Sequence, residues 1–169
     1  MAEDFNTLID RNKRNCWILM VVFVLLIVAV AGAIGMAWGG GDWRFSLIVG
    51  GIAAGVSFLI CTWSFFAGAG AILAINRARE IQKQDDPQLF NVVEEMSIAS
   101  GTPMPRIFVI QDEAPNAFAT GRDPKRGVVA ITTGLRRKLN RDELQGVMAH
   151  EMAHIRNYDI RYAMLVAVM

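Results

Sequence analysis

The sequence has few residues that could form disulfides or bind several metal ions, because it holds two cysteines and two histidines among 169 residues. Cys16 and Cys61 form neither a Cys-x-x-Cys metal motif nor a spaced disulfide framework, so we interpret them as small apolar residues of packed helices. An excess of one charge is also missing, and the net charge of +1 excludes a strongly basic nucleic-acid binder. A composition of 53% hydrophobic residues excludes a disordered or collagen-like chain.

Charge is absent altogether from two long runs. Residues 16–38 and 45–75 contain no Asp, Glu, Lys or Arg over 23 and 31 positions. A bilayer core requires about 20 apolar residues in a helix, so each run predicts a membrane span. The first run exceeds the roughly 7–15-residue core of a cleaved signal, and the second is long enough to tilt or to leave the lipid. We predict a transmembrane hairpin over 16–75, behind a cytoplasmic segment at 1–15.

The distribution of positive charge predicts the orientation of this hairpin. Six basic residues flank its outer ends, and only Arg44 lies in the short connecting loop. Because basic residues are retained on the cytoplasmic side of a membrane, both ends of the hairpin and the domain that follows should face the cytoplasm. The six flanking residues are Arg11, Lys13, Arg14, Arg77, Arg79 and Lys83.

Small residues recur along both apolar runs. Gly35 and Gly39, and Gly51 and Gly55, have the small-xxx-small spacing that lets two helices approach closely. Such spacings also arise by chance where glycine is frequent. A homo-oligomer formed through these helix faces is therefore one of two open interpretations.

The chain from residue 76 has the pattern of a small α+β domain. Caps and turn residues mark helix ends, and β-branched segments predict strands. We assign 76–160 to this domain, and 161–169 to the start of a third membrane span that is cut short. The predicted elements are a helix between Asp86-Pro87 and Gly101, a strand at 106–111, a loop or irregular edge strand over 114–124, a strand at 127–132, a short helix at 133–139, and a helix capped by Asn140 and Glu143.

This last helix carries the segment His150-Glu151-Met152-Ala153-His154. Two histidines four residues apart project from one helix face, so both rings can meet one Zn²⁺ while Glu151 reaches a water beside it. This is the H-E-x-x-H arrangement of a zinc metalloprotease, in which the metal polarises the scissile carbonyl and activates water, and the glutamate is the general base. The competing interpretation is an amphipathic helix with two surface histidines.

The third metal ligand is not evident. A catalytic zinc site usually has three protein ligands and a water, yet no other histidine exists and both cysteines lie in the apolar runs. Asp159 is the only acidic residue after His154. We place it one turn further along the same helix, where it suits a hydrogen bond to a ligand better than coordination. The sequence thus predicts two ligands, His150 and His154, with Asp159 behind them.

With these motifs, the sequence resembles the HtpX-like membrane zinc metalloproteases, which are related to the CAAX prenyl endopeptidases. The resemblance covers nearly the whole chain. It is carried by the N-terminal hairpin, the loop 114–121 (APNAFATG), the strand and turn 128–135, the segment 140–154 (NRDELQGVMAHEMAH) and its continuation 155–159 (IRNYD).

The resemblance implies a multi-pass endopeptidase of the cell inner membrane that acts in protein quality control and the stress response. It implies that His150 and His154 bind zinc, that Glu151 is the catalytic base, and that the third ligand is a glutamate on a later helix beyond this chain. It also implies that residues 116–121 lie beside the active site, where an extended edge strand can bind substrate backbone. The equal alternative is that Asn116 and Gly121 only shape a turn. This substrate-binding segment comprises Asn116, Ala117, Phe118, Ala119, Thr120 and Gly121.

Two hypotheses follow from the sequence. In the first, the chain is the N-terminal portion of a zinc endopeptidase that hydrolyses misfolded or membrane-associated proteins. In the second, it is a catalytically inactive, truncated membrane module that lacks the third zinc ligand. Both predict an α+β domain behind a membrane hairpin, and they differ in whether the site binds zinc and cleaves peptides.

Overall fold

The computed structural model describes residues 5–168 and confirms the α+β class, with two long apolar helices ahead of a small helix-and-sheet domain. Residues 1–4 and 169, which belong to the predicted terminal segments, lie outside the described residues. The helices are α1 (Phe5–Trp38), α2 (Trp43–Ile75), α3 (Pro87–Ser100), α4 (Thr133–Lys138), α5 (Arg141–Arg156) and α6 (Asp159–Val168). The strands are β1 (Arg79–Glu80), β2 (Arg106–Ile110), β3 (Ala117–Thr120) and β4 (Val128–Thr132), and a 3₁₀ turn covers Pro124–Arg126.

Helices α1 and α2 form an antiparallel hairpin. Asp42 caps α2, because its side chain accepts a hydrogen bond from the Arg44 amide at 2.9 Å. By length and composition, Ile9–Trp38 and Trp43–Ile75 are candidate membrane spans among the described residues. Helical structure begins at Phe5, so the segment assigned to 1–15 continues from that residue into the first span without a break. Its cytoplasmic location stays a prediction.

The two predicted glycine faces differ in their surroundings. Ser46 Oγ donates a hydrogen bond to the Gly32 carbonyl at 2.7 Å, and a Cβ added at Gly35 would lie 3.0 Å from Ser46 Cα. Close approach at these positions therefore serves the hairpin itself. A Cβ added at Gly51 or Gly55 would meet nothing within 4 Å, so that face is open. A homo-oligomer through it remains a prediction.

The last turns of α2 pack on the sheet instead of facing outward. The helix has 33 residues, which is a length of about 50 Å against a hydrocarbon core of about 30 Å. Leu73 is buried in a cluster with Phe108 and Ile110 of β2. The Arg122 guanidinium lies 4.8 Å from the Phe66 ring centroid, so a charged group of the domain contacts α2 at that level. The end of α2 that exceeds the thickness of the hydrocarbon core therefore packs against the domain.

A mixed sheet in the order β1-β2-β4-β3 forms the centre of the described domain. Strands β2 and β4 are parallel, with Arg106 opposite Val128, whereas β3 pairs with β4 antiparallel and β1 pairs with β2 antiparallel. One sheet face packs on α3 and α5, and the other packs on the end of α2. The two-residue β1 was absent from the sequence predictions, because it has no apolar alternation and depends on pairing with β2.

The predicted helix caps are confirmed. The Asp86 side chain accepts from the Leu89 amide, and Gly101 ends α3 in the left-handed region at φ 65°. The Asn140 side chain accepts from the Glu143 amide, and the Glu143 carboxylate accepts from the Asn140 amide, both at 2.9–3.0 Å. This reciprocal pair satisfies donors that the first turn of α5 would otherwise leave unpaired.

The prediction that Asp159 continues the His150–His154 helix is wrong. Helix α5 ends at Arg156, Tyr158 adopts φ 62°, and Asp159 opens the separate helix α6. The physical reason is the turn at Asn157 and Tyr158, where a left-handed residue redirects the chain. On α6, three side chains are buried against the rest of the fold, so the apolar run contributes to packing here. They are Ile160, Met164 and Leu165.

Candidate metal centre

Helix α5 places both histidines on one face. The imidazole Nε2 atoms of His150 and His154 lie 3.2 Å apart, and their rings meet edge to face with centroids 4.6 Å apart. The spacing of four residues turns both side chains in the same direction, and the capping box and the buried Leu144 hold the helix in place. The result is a pair of ring nitrogens that converge on one point.

This convergence fits a tetrahedral metal ion. Two histidine nitrogens bound about 2.0–2.1 Å from one tetrahedral zinc lie roughly 3.3 Å apart. The observed separation of 3.2 Å is close to that value. Within residues 5–168, however, no three His, Cys, Asp or Glu side chains form a group that could hold a metal. The described residues thus supply half of a four-coordinate site.

Asp159 lies directly behind His154. Its Oδ2 is 2.9 Å from His154 Nδ1, so in the matching tautomer Nδ1–H donates to the carboxylate and Nε2 keeps a free lone pair. A carboxylate in this position fixes both the tautomer and the orientation of a ligating imidazole. The role proposed for Asp159 from sequence is therefore supported by its contact, although the contact is made across the α5–α6 turn.

Glu151 points into the domain. It is 9% exposed, whereas both histidines are more accessible. Together with His154 and Asp159 it lines a cavity of about 420 Å³, whose other walls are largely apolar side chains of β3 and α6. A carboxylate that lines a largely apolar cavity together with His154 is suited to accept a proton from a water in that cavity.

Strand β3 forms the opposite wall of the cavity. Ala117, Phe118 and Ala119 line it, and β3 is an edge of the described sheet because only β4 pairs with it. The ends of the predicted substrate-binding segment are structural. The backbone N–H of Asn116 donates a hydrogen bond to Thr132 Oγ1 at 2.9 Å. Gly121 has φ 138°, and an added Cβ would lie 2.5 Å from the Arg126 carbonyl oxygen.

The ends and the middle of segment 116–121 thus have different surroundings. Asn116 and Gly121 hold the strand in place, and Thr120 is buried at its end. Residues 117–119 line the cavity. The ends of the segment thus fit the interpretation as a turn, and its middle fits the interpretation as a substrate-binding edge strand. Substrate binding stays a proposal.

Asn12 also lines the cavity, and sequence reasoning missed it. It lies in α1, far from the histidine helix along the chain, and its amide contacts Asp159. A single asparagine among basic residues ahead of an apolar run carries no pattern that predicts such a contact. The contact follows only from the way α1 packs beside α6.

A helix with a histidine pair and an inward glutamate, facing the edge strand of a small sheet, defines the metallopeptidase class of proteins. The model of the family described as "Peptidase family M48" matches residues 83–169, and the chain belongs to that family. It is an HtpX-like member, as the resemblance predicted.

Several curated relatives have the name "Protease HtpX homolog", and three of them show the extent of the similarity. The protein of Streptococcus thermophilus is 42% identical over 164 residues, which are 95% of this chain and 52% of the relative. That of Lactobacillus acidophilus is 40% identical over 161 residues, covering 95% of this chain and 53% of the relative. That of Lactiplantibacillus plantarum is 40% identical over 158 residues, covering 90% and 50%. The chain spans about half the length of the curated relatives it matches.

Proposed function

We propose that this chain is part of an integral-membrane zinc endopeptidase that hydrolyses peptide bonds of misfolded or membrane-associated proteins. The observation that carries the proposal is the 3.2 Å approach of the His150 and His154 Nε2 atoms, with Asp159 behind one ring. Membership of peptidase family M48 and the protease names of the relatives support it. The exposed apolar surfaces of α1 and α2 support location in a membrane.

Each polar side chain of the site then has a definite role. His150 and His154 hold the zinc ion through Nε2, and Asp159 keeps the His154 ring in the Nδ1–H tautomer. Zinc, when bound, supplies Lewis acidity toward a peptide carbonyl and toward water. The Glu151 carboxylate takes the proton from the attacking water and passes it to the leaving amine nitrogen.

Substrate enters as an extended strand along β3. The edge of β3 offers backbone hydrogen-bonding groups, and the cavity between β3 and α5 accepts apolar side chains. Unfolded segments present both an unpaired backbone and apolar side chains, so this site favours them over folded proteins. The basic residues that flank the hairpin support an orientation with the domain in the cytoplasm, and the resemblance supports location at the inner membrane of the cell.

A second candidate function is favoured by one specific observation. The described residues contain no third metal-binding side chain beside the histidine pair. In this alternative the chain is a non-catalytic membrane module that binds zinc weakly or not at all. The resemblance implies that the third ligand is a glutamate on a later helix, which supports the first function for a protein that includes such a helix.

The deciding experiment uses the protein that includes this chain together with the later, glutamate-bearing helix implied by the resemblance, reconstituted in proteoliposomes. In the wild type we expect one zinc per chain and cleavage of an unfolded casein-like substrate. Glu151→Gln should retain zinc and lower the cleavage rate by about 100-fold or more, because only the base is removed. Asp142→Asn, an exposed change on the same helix, is the matched control and should leave both unchanged. A wild-type protein that includes the later helix and shows neither zinc nor cleavage supports the non-catalytic module, and normal cleavage by Glu151→Gln contradicts the assigned mechanism.

A further inference from the structure

We propose that Asn12 on α1 is a positioning residue for the metal centre, because its amide holds Asp159, which in turn orients His154. This inference rests on the proposed zinc site. Asn12 Nδ2 donates to Asp159 Oδ1 at 2.5 Å and to the Asn157 carbonyl oxygen at 3.1 Å. The other carboxylate oxygen of Asp159 is 2.9 Å from His154 Nδ1. A continuous hydrogen-bonded path thus connects the first membrane helix to a proposed zinc ligand.

The chemistry of this contact selects a primary amide. Both partners of Asn12 are acceptors, one a carboxylate oxygen and one a backbone carbonyl, and the NH₂ group has two donors. An aspartate at position 12 has nearly the same shape but only acceptors, so it would repel both partners. An alanine would remove the contact without adding repulsion.

The turn that carries Asp159 depends on α1 in a second way. Tyr158 adopts the left-handed conformation at φ 62°, which is unfavourable for a bulky side chain. The Lys13 ammonium lies 4.5 Å from the Tyr158 ring centroid, and the Arg161 guanidinium lies 5.2 Å from it. Residues 12 and 13 therefore hold successive residues of one turn, as expected if α1 stabilises a conformation that the turn would not keep alone.

The consequence is a coupling between the membrane hairpin and the metal centre. Asp159 is the first residue of α6, and without Asn12 its carboxylate keeps only the contact to His154 among its side-chain hydrogen bonds within residues 5–168. Its side chain would then sample other rotamers, and the His154 ring would lose its fixed tautomer. The orientation of a zinc ligand depends on where α1 lies relative to α5 and α6.

The test is an imidazole ¹⁵N NMR measurement on the metal-free full chain in micelles at about pH 8, where an ordinary histidine is neutral. The chain has two histidines, so two sets of ring signals are expected, and His150→Gln assigns them. In the wild type we expect His154 to be locked as the Nδ1–H tautomer. In Asn12→Ala the ¹⁵N chemical shifts of the two His154 ring nitrogens should move toward values averaged over the two tautomers. Asn12→Asp should cause a larger change in the same direction. Asn15→Ala, an exposed asparagine one turn on, is the matched control and should change neither ring.

A rescue variant separates positioning from loss of folding. In Asn12→Asp combined with Asp159→Asn, the acceptor and the donor exchange places, and the amide oxygen introduced at position 159 still accepts from His154 Nδ1. The Asn157 carbonyl still faces a carboxylate in this double variant. We therefore expect it to recover part of the Nδ1–H tautomer signal of His154 that Asn12→Asp loses. Failure to recover, or an unchanged His154 signal in Asn12→Asp, overturns the proposal.

Metal affinity provides the second measurement. By competition with a chelator, Asn12→Ala should bind zinc at least about 10-fold more weakly than Asn15→Ala, in the range seen when partners of metal ligands are removed. Equal zinc affinity of the two variants overturns the positioning role. Absence of zinc binding by the wild-type protein that includes the later helix instead contradicts the proposed function, and the metal-free NMR result still decides whether Asn12 orients His154.

Discussion

The hairpin and the domain bury opposite kinds of side chain. Along α2 the buried positions are mostly small or weakly polar, namely Gly50, Ser57, Cys61, Ser64, Gly68 and Leu73, while its large apolar side chains face outward. In the domain the large, fully buried side chains are Leu, Ile, Val and Met, and Glu151 is the one buried charged side chain among the described residues. Lipid is as apolar as leucine, so helices in a bilayer gain most from close contact of small residues. In water, burial of apolar surface is favourable, so large apolar side chains stabilise the domain most.

The largest expected difference comes from the same substitution in the two regions. Leu144 is 0% exposed on α5, and Leu47 is 65% exposed on α2. Leu144→Ala should lower the free energy of unfolding by about 2–5 kcal/mol through the lost contacts and the cavity. Leu47→Ala should change it by less than about 1 kcal/mol in a bilayer, because lipid fills the space. Denaturant unfolding in bicelles measures both, and equal losses would show that the two regions follow one packing rule.

A smaller effect is expected from enlarging a glycine. At Gly35 a Cβ would lie 3.0 Å from the Ser46 backbone, whereas at Gly51 it would meet nothing within 4 Å. Gly35→Val should separate the helices and destabilise the hairpin by about 1–3 kcal/mol, the usual cost of overpacking. Gly51→Val is the matched control and should be tolerated. The measurement is the efficiency of a disulfide engineered across α1 and α2, and a loss with Gly51→Val instead would place the close contact on the other face.

The smallest effect concerns charge at the domain surface. Burial alone would raise the pKa of Asp86, but hydrogen bonds from Arg136 and from the Leu89 amide outweigh it and lower the pKa below its usual value. The stabilisation is therefore complete above the ordinary value of 3.8 and is lost as the pH falls through the lower folded pKa. Asp86→Asn keeps the helix cap but loses the charge pair, so it should cost about 1 kcal/mol at neutral pH.

That variant should also lose part of the pH dependence of stability in the acid range. Asp85→Asn, at the neighbouring exposed position, is the control. Thermal unfolding between neutral and acid pH measures the effect for both. A constant difference between wild type and Asp86→Asn at all pH values would contradict the assigned charge pair.

Much of the fold was predictable because its signals are local. The two spans follow from uninterrupted apolar runs, and the caps at Asp86, Gly101 and Asn140 follow from short-range hydrogen bonds. β1 was not predictable, since two residues gain their conformation only by pairing with β2. The break between α5 and α6 was also missed, because the left-handed Tyr158 is held by contacts with residues distant in the chain.

For the candidate site, the sequence by itself determined the histidine pair and Glu151, because helical periodicity converts a spacing of four into a shared face. It also indicated Asp159 as a partner of His154, but for a reason that the structure corrects. Tertiary structure alone decided that Asp159 reaches His154 across a turn, that β3 forms the wall facing Glu151, and that Asn12 joins the group. These contacts connect residues separated by up to 147 positions, and packing of whole elements, not local pattern, brings such residues together.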